Sequence, residues 1–168
     1  MARDINFTPV LDSGNFWQEN EQKTKLVSFI PKLVGYNLKY VDKARIGQDL
    51  LNMDEYGFEK FFHDCIELRE VGLSNENLLV NFMMTHNNSK PSINIIDCSL
   101  KYYYRGTPNE QKGLLDQSVM TVTRALYYHD IEKKLKKEIF GNIHNVIKKF
   151  SNNEWALERI NKDITSSS

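Results

Sequence analysis

The segment TPNEQKGLLDQSVMTVTRALYY, residues 107–128, contains the clearest structural signal in the chain. Thr107 followed by Pro108 and then by Glu110 is typical of a helix N-cap, a proline in the first turn and a capping box. The apolar residues that follow recur at intervals of four, three and four, which is the period of one helix face. They are Leu115, Val119, Val122 and Leu126. The sequence therefore predicts a helix from 108 to about 128 that buries this face.

Two further segments, 54–71 and 131–150, have the same helical period. In the first, Asp54 is the predicted N-cap and Gly72 the predicted C-terminal stop. In the second, Asp130 is the predicted N-cap. The apolar faces of the three helices predict a shared core of eight residues, which are Phe61, Phe62, Leu115, Val122, Leu126, Ile139, Ile143 and Val146. The predicted fold class is therefore a mainly α helical bundle.

The N-terminal part of the chain is less regular. Residues 1–14 contain a proline and a turn cluster and are predicted to form an irregular lead-in. A helix is predicted to begin after Asn15, with Pro31 interrupting its apolar face. A short strand is predicted at 36–41, within an otherwise loose segment at 35–48.

Residues 92–104 fit two structures. Alternation of apolar and polar side chains is typical of a strand, which would pair with residues 78–85 in a small β-hairpin at about 78–104. A helical period is also present, and a helix is favoured because the neighbouring segments are helical. The preceding segment is itself predicted to be a helix from about Ser74 to His86.

The C-terminal end is predicted to form a short last helix from Trp155, with residues 164–168 as a frayed tail. The chain has only four alanines. All its predicted helices therefore depend on packing of their apolar faces more than on intrinsic helix propensity.

The composition is that of a globular protein. The chain has 168 residues, with 22 basic and 22 acidic side chains, and suits a single domain over residues 1–168 that folds without a disulfide or a metal. Its two cysteines make neither a disulfide framework nor a zinc site. No apolar run approaches the roughly 18 residues of a membrane span, and the opening residues have no secretory pattern. We therefore expect a cytoplasmic protein without membrane contact.

The charges are distributed unevenly along the chain. Residues 1–80 have nine basic and 13 acidic side chains, whereas residues 81–168 have 13 and nine. Much of the acidic excess lies on the predicted helix 54–71, whose solvent face would present Glu55, Glu59, Glu67 and Glu70. A second segment places aromatic rings beside a cation, as interfaces often do, at Tyr102, Tyr103 and Arg105. These seven residues are the candidate partner-binding residues, and the four glutamates would attract a basic partner.

Patterns that would indicate catalysis or a bound cofactor are absent from the sequence. The eight glycines are scattered singly, so there is no phosphate-binding loop. The four histidines lie apart, and no Cys-x-x-Cys or His-x-x-x-His motif occurs. Cys65 belongs to an apolar helix face and is predicted to be a buried thiol. The sequence therefore predicts no metal, no cofactor and no catalytic residue.

Two alternatives stay open. Arg124 followed five positions later by His129 resembles the active-site pattern of HEPN-type ribonucleases, which are helical bundles. The resemblance covers six residues and implies a metal-independent ribonuclease, in which the arginine holds phosphate and the histidine moves a proton. The second alternative is a nucleic-acid-binding domain that uses the basic segment 133–149, although a pI of about 6.9 is low for this class.

The function that the sequence favours is a non-catalytic protein-binding module. A content of 17 Asn and 16 Lys with few alanines is typical of an AT-rich coding region, and a small neutral binder of this kind suggests a bacterial defence module. The specific hypothesis is an immunity or antitoxin-type protein that neutralises a basic, nuclease-like toxin by direct binding.

Overall fold

The computed structural model describes residues 35–75, 78–99 and 103–167, together with the backbone of residues 17–20 and 23–26. The helices in this part of the chain are α1 (Lys43–Asn52), α2 (Glu55–Glu70), α3 (Pro108–Tyr128), α4 (Lys133–Ile147) and α5 (Glu154–Ser166). The strands are β1 (Trp17–Asn20), β2 (Lys23–Leu26), β3 (Gly35–Asn37), β4 (Phe82–Asn87) and β5 (Lys90–Ile95), and a 3-10 turn (Leu79–Asn81) precedes β4. The architecture is mainly α with a small antiparallel sheet in the order β3-β4-β5, which confirms the predicted fold class. None of the described helices combines the length and the apolar character that crossing a bilayer requires.

Helices α2 and α3 begin where their caps predict. The Gly57 amide donates a hydrogen bond of 2.8 Å to the Asp54 carboxylate, which confirms Asp54 as the N-cap of α2. At α3, Thr107 and Glu110 form the reciprocal capping box: the Thr107 amide donates to the Glu110 carboxylate at 3.0 Å. Gly72 has a φ of +85°, so it ends α2 in the left-handed conformation that glycine adopts without strain.

The core lies where the faces of α2, α3, α4 and the sheet meet. Helix α2 packs against α3, α4 and β5, while α5 covers α3 and α4. All eight predicted core residues are buried. The ring of Phe61 meets the ring of Phe82 edge to face at 5.6 Å, which joins α2 to the sheet.

The β-hairpin is confirmed, and the helices predicted for the same residues are wrong. Strands β4 and β5 pair around a two-residue turn at Asn88 and Ser89, whose φ angles of +49° and +65° suit the twist of a tight hairpin. Consecutive side chains are buried in each strand, so both sheet faces are covered. The apolar run therefore lacks clear alternation and resembles a helix face. Of the alternating residues beyond β5, those that the structure describes, 96–99 and 103–104, form no strand apart from a bridge between Ser99 and Ser74.

The N-terminal predictions have mixed outcomes. Residues 17–20 and 23–26 pair as antiparallel strands, so the helix predicted after Asn15 is wrong there. The lead-in at 1–14 and the proline at position 31 lie outside the described residues. The strand predicted at 36–41 is shorter and begins at Gly35. Helix α1 was missed, although Asp42 caps it by accepting from the Ala44 amide at 3.0 Å.

Asp130 does not cap α4, so that prediction is wrong. It has a φ of +49° and occupies the position after the C-cap of α3. The Asp130 amide donates to the Tyr127 carbonyl, and the Ile131 amide donates to the Leu126 carbonyl, both at 3.1 Å. This pair of bonds is a Schellman motif with Ile131 buried beneath it. Helix α4 consequently begins later, with Glu132 as its N-cap.

The C-terminal helix is longer than predicted. Helix α5 runs to Ser166, and Ser167 is buried, so the expected fraying at 164–168 is wrong for these residues. Ser168 lies outside the described part of the chain.

Candidate functional site

A groove runs between the C-terminal half of α3 and the turn before β4, and we call it the α3 groove. The described residues that line it are Lys39, Leu78, Leu79, Val80, Arg124 and Tyr128. Its cavity volume is about 360 Å³. Two of these six residues are cations, and none is an acid.

Local structure sets both walls of the groove. Arg124 and Tyr128 are four positions apart on α3, so they lie on the same helix face. The opposite wall is the 3-10 turn, and the Asn37 side-chain amide donates to the Val80 carbonyl at 2.7 Å. The Lys39 amide donates to the Asn37 side-chain oxygen at 2.9 Å. Asn37 thus joins the chain after β3 to the 3-10 turn.

The described lining of the groove combines apolar and basic side chains. Leu79 is buried, whereas Leu78 and Tyr128 are 48% and 57% exposed. The Lys39 ammonium lies 5.4 Å from the ring centre of Tyr40, which is itself largely exposed. Such a surface can bind an apolar side chain and hold a carboxylate beside it.

The four glutamates of α2 do not share one open surface. Glu55 and Glu59 face Lys149, which lies just after the end of α4, at 2.7 and 3.6 Å from its ammonium nitrogen. The hydrogen bond that the Lys149 ammonium donates to the Glu55 carboxylate raises the pKa of Lys149. Glu67 is half-buried with one carboxylate oxygen inaccessible to solvent, and Glu70 is exposed. A basic partner that docks on this face would compete with Lys149 for the carboxylates of Glu55 and Glu59.

The second predicted binding segment is only partly described. Tyr102 lies outside the described residues. Tyr103 is 80% exposed, and Arg105 is exposed. Both precede the N-terminus of α3, and about 24 Å of helix separates Pro108 from Arg124. This segment is therefore remote from the α3 groove.

The two residues of the ribonuclease alternative make different contacts. Arg124 lines the α3 groove, whereas His129 is the C-cap of α3. The Nε2 atom of His129 lies 2.6 Å from the Leu38 carbonyl oxygen, so one ring nitrogen is engaged by the backbone. The other groove residue on this helix, Tyr128, has its ring against the His129 ring at 4.9 Å.

A second cluster of polar side chains, which we call the Asp49 cluster, was not predicted. Asp49 accepts a hydrogen bond of 2.6 Å from the Tyr36 hydroxyl, and its other oxygen lies 3.0 Å from Nε2 of His86. The Arg45 guanidinium lies 4.6 Å from the centre of the Tyr36 ring. Burial, together with Asp49, raises the pKa of Tyr36. The members come from β3, α1 and β4, so no local sequence pattern links them.

Neither cysteine is an activated nucleophile. Cys65 is completely buried, and burial raises the pKa of its thiol to about 12. Burial also raises the pKa of Cys98, which is partly exposed. Among the described residues, no group of three His, Cys, Asp or Glu side chains is placed to hold a metal ion.

Comparison of the chain with protein families, with curated proteins and with solved structures gives no match. The candidate function therefore depends on the geometry of the chain itself.

Proposed function

We propose that this chain is a non-catalytic protein-binding module that recognises its partner through the α3 groove. The observation behind the proposal is the exposure of Leu78 and Tyr128 on a concave surface that also contains Arg124. Tyrosine and arginine around a pocket are the residue types that contribute most to protein interfaces. Exposed apolar side chains gathered in a groove are also costly to leave in water, and a partner would remove that cost.

The groove is a better docking surface than the acidic face of α2. The glutamates nearest the N-terminus of α2 already contact Lys149, so a basic partner would gain less there than the sequence suggests. In the groove, apolar burial can add to charge attraction. The proposal therefore keeps the protein-binding function and moves its main site from α2 to α3.

The specific form of the proposal is an immunity or antitoxin-type protein. Its support is the composition typical of an AT-rich gene and the small, electrically neutral chain. The first partner to test is the product of the reading frame beside this gene. A toxin encoded there would be neutralised by direct binding.

The test is isothermal titration of the full chain with that product. Leu78→Glu places a charge on the apolar surface, and Tyr128→Ala removes an exposed ring, so each is expected to weaken binding about tenfold or more. Tyr103→Ala is the control because it removes a tyrosine ring that is even more exposed and lies before the other end of α3. Equal losses in Tyr103→Ala and Tyr128→Ala would contradict the assignment to the groove.

A second candidate function is acid–base hydrolysis at the Asp49 cluster. Its support is the contact of Asp49 with His86 at 3.0 Å, because a carboxylate orients the ring of a histidine that acts as a general base. The test is cleavage of single-stranded RNA by the purified chain, with His86→Ala and His129→Ala compared. Our proposal expects no cleavage. If the parent chain cleaves the RNA and either variant does not, the chain is an enzyme and the proposal of a non-catalytic function is wrong.

A further inference from the structure

We infer that the occupant of the α3 groove is an acidic, apolar segment of a partner protein, with a carboxylate between Lys39 and Arg124 and an apolar side chain against Leu78. This inference rests on the proposed protein-binding function and adds the chemistry of the partner. It also reverses the charge of the partner surface that the sequence suggests.

Both charged side chains in the described lining of the groove are cations. Lys39 follows β3 and Arg124 lies on α3, so two separate elements bring cations to one cavity. The whole chain has no net charge. An arginine guanidinium binds a carboxylate through two parallel hydrogen bonds, and burial of apolar groups nearby strengthens that pairing by excluding water. A basic segment would be repelled by the same two side chains.

The apolar part of the groove lining selects for an apolar group. Leu78, Leu79 and Val80 are three consecutive aliphatic residues, and the ring of Tyr128 closes the other side. A volume of about 360 Å³ is at the small end of ligand-binding cavities, which are roughly 300–1,000 Å³. The groove therefore accommodates a few side chains of a segment and not the surface of a whole domain.

The groove is held in place before a partner arrives. The hydrogen bond from Asn37 to Val80 and the one from the Asn81 amide to the Leu78 carbonyl, at 2.7 and 2.9 Å, fix the wall opposite α3. The other wall is a helix with buried neighbours on its core face. Little ordering is therefore needed on binding, which favours recognition of a short segment.

The experiment measures fluorescence anisotropy of labelled probes with the full chain. The first probe is a ten-residue peptide that alternates Leu and Glu, and the second alternates Leu and Lys. The third alternates Ser and Glu, which keeps the charge and removes the apolar groups. The fourth is a single-stranded oligouridine, whose negative charges are on phosphates and not on carboxylates.

We expect the Leu/Glu peptide to bind and the Leu/Lys peptide not to bind. The Ser/Glu peptide and the oligouridine should bind about tenfold more weakly, because they leave the apolar part of the lining exposed to water. Lys39→Ala and Arg124→Ala should each lower the affinity for the Leu/Glu peptide about tenfold, which is the usual effect of losing a hydrogen bond to a charged group. Arg105→Ala is the control with the same change of charge, and it should bind like the parent chain. Unchanged melting temperatures exclude unfolding as the cause.

Three results would overturn the inference: equal binding of the Leu/Lys peptide, equal losses in Arg105→Ala and Arg124→Ala, or tightest binding of the oligouridine. The outcome is separable from that of the proposed function. If Leu78→Glu abolishes binding of the protein partner but the Leu/Glu peptide does not bind, the groove remains the site and its acidic specificity is wrong. If neither binds, the protein-binding function at this groove is wrong.

Discussion

Asp163 on α5 is a carboxylate whose surroundings oppose its charge. Burial raises its pKa above the ordinary value of 3.8, although the Tyr127 hydroxyl donates to it at 3.2 Å. The nearest guanidinium, that of Arg159, is bound at 2.6 and 2.8 Å to both oxygens of Asp116 instead. The charged form of Asp163 is therefore incompletely compensated in the folded state.

We expect Asp163→Asn to raise the melting temperature at pH 7. The folded state binds a proton at Asp163 more readily than the unfolded state does, so the parent chain gains stability as the pH falls from the raised folded pKa towards the unfolded one. The variant lacks this gain, so the difference in melting temperature between the variant and the parent chain should disappear near pH 3.5. Asp116→Asn is the control and should lower the melting temperature, because it breaks the paired contact with Arg159. A lower melting temperature of Asp163→Asn at pH 7 would contradict this account.

The two thiols should react at different rates with a disulfide reagent at pH 8. Cys65 is buried with a pKa of about 12, so almost none of it is thiolate in the folded chain. Cys98 is partly exposed and should react slowly but measurably. We expect one reactive thiol per folded chain and two in denaturant. Rapid reaction of Cys98→Ser in the folded state would show that Cys65 is accessible.

At the scale of elements, the turn of the β4–β5 hairpin has one residue in an unfavourable backbone conformation, which a glycine would relieve. Ser89 has a φ of +65°, a conformation that costs an L-residue about 1–2 kcal/mol relative to the ordinary region and glycine almost nothing. Ser89→Gly creates the Asn-Gly pair favoured in tight hairpins and should stabilise the fold by about 1 kcal/mol. Ser92→Gly, inside β5, is the control and should destabilise it. Chemical denaturation measures both, and loss of stability in Ser89→Gly would contradict the turn geometry.

Helix α4 contributes to the core through Ile143, which is completely buried. Ile143→Ala leaves a cavity between α4 and its neighbours and should cost about 2–5 kcal/mol of unfolding free energy. Asn145→Ala, exposed on the same helix, should change stability by less than about 0.5 kcal/mol. Equal effects of the two substitutions in chemical denaturation would mean that the buried face of α4 is misassigned.

The elements differ in how well sequence predicts them, and the difference is physical. Helix α3 has its caps and its apolar stripe within one continuous segment, so its ends follow from local chemistry. Strands β4 and β5 are covered on both faces, and their apolar runs lose the alternation that identifies a strand. The α3 groove and the Asp49 cluster combine residues from distant elements. Only the fold brings these residues together, so neither site is visible in the sequence.

At the scale of the whole molecule, the two hypotheses about the partner predict opposite effects of charge. A basic partner docking on α2 would associate more slowly when α2 loses its glutamates, whereas an acidic segment docking in the α3 groove would associate faster. Long-range attraction depends on the net charge of the chain and is screened beyond about 8 Å at physiological salt. The sign of the effect therefore identifies the charge of the partner without knowledge of the contacts.

The matched variants are Glu59→Gln with Glu70→Gln, and Glu59→Lys with Glu70→Lys. They change the net charge from zero to about +2 and about +4 respectively, at positions outside the described lining of the groove. We expect association with the Leu/Glu peptide to accelerate in that order at low salt, because each step makes the net charge more positive. The association rates should converge at high salt, which screens this attraction. The dissociation rate should stay the same, because the contacts in the groove are unchanged. Stopped-flow fluorescence across a salt series measures the rates. Melting temperatures of both variants serve as the control, since Glu59 lies 3.6 Å from the Lys149 ammonium and its loss should have only a small effect on stability at this exposed site. Slower association in the lysine variant, with the fold intact, would place an acidic docking surface on α2 and return the partner to the basic class.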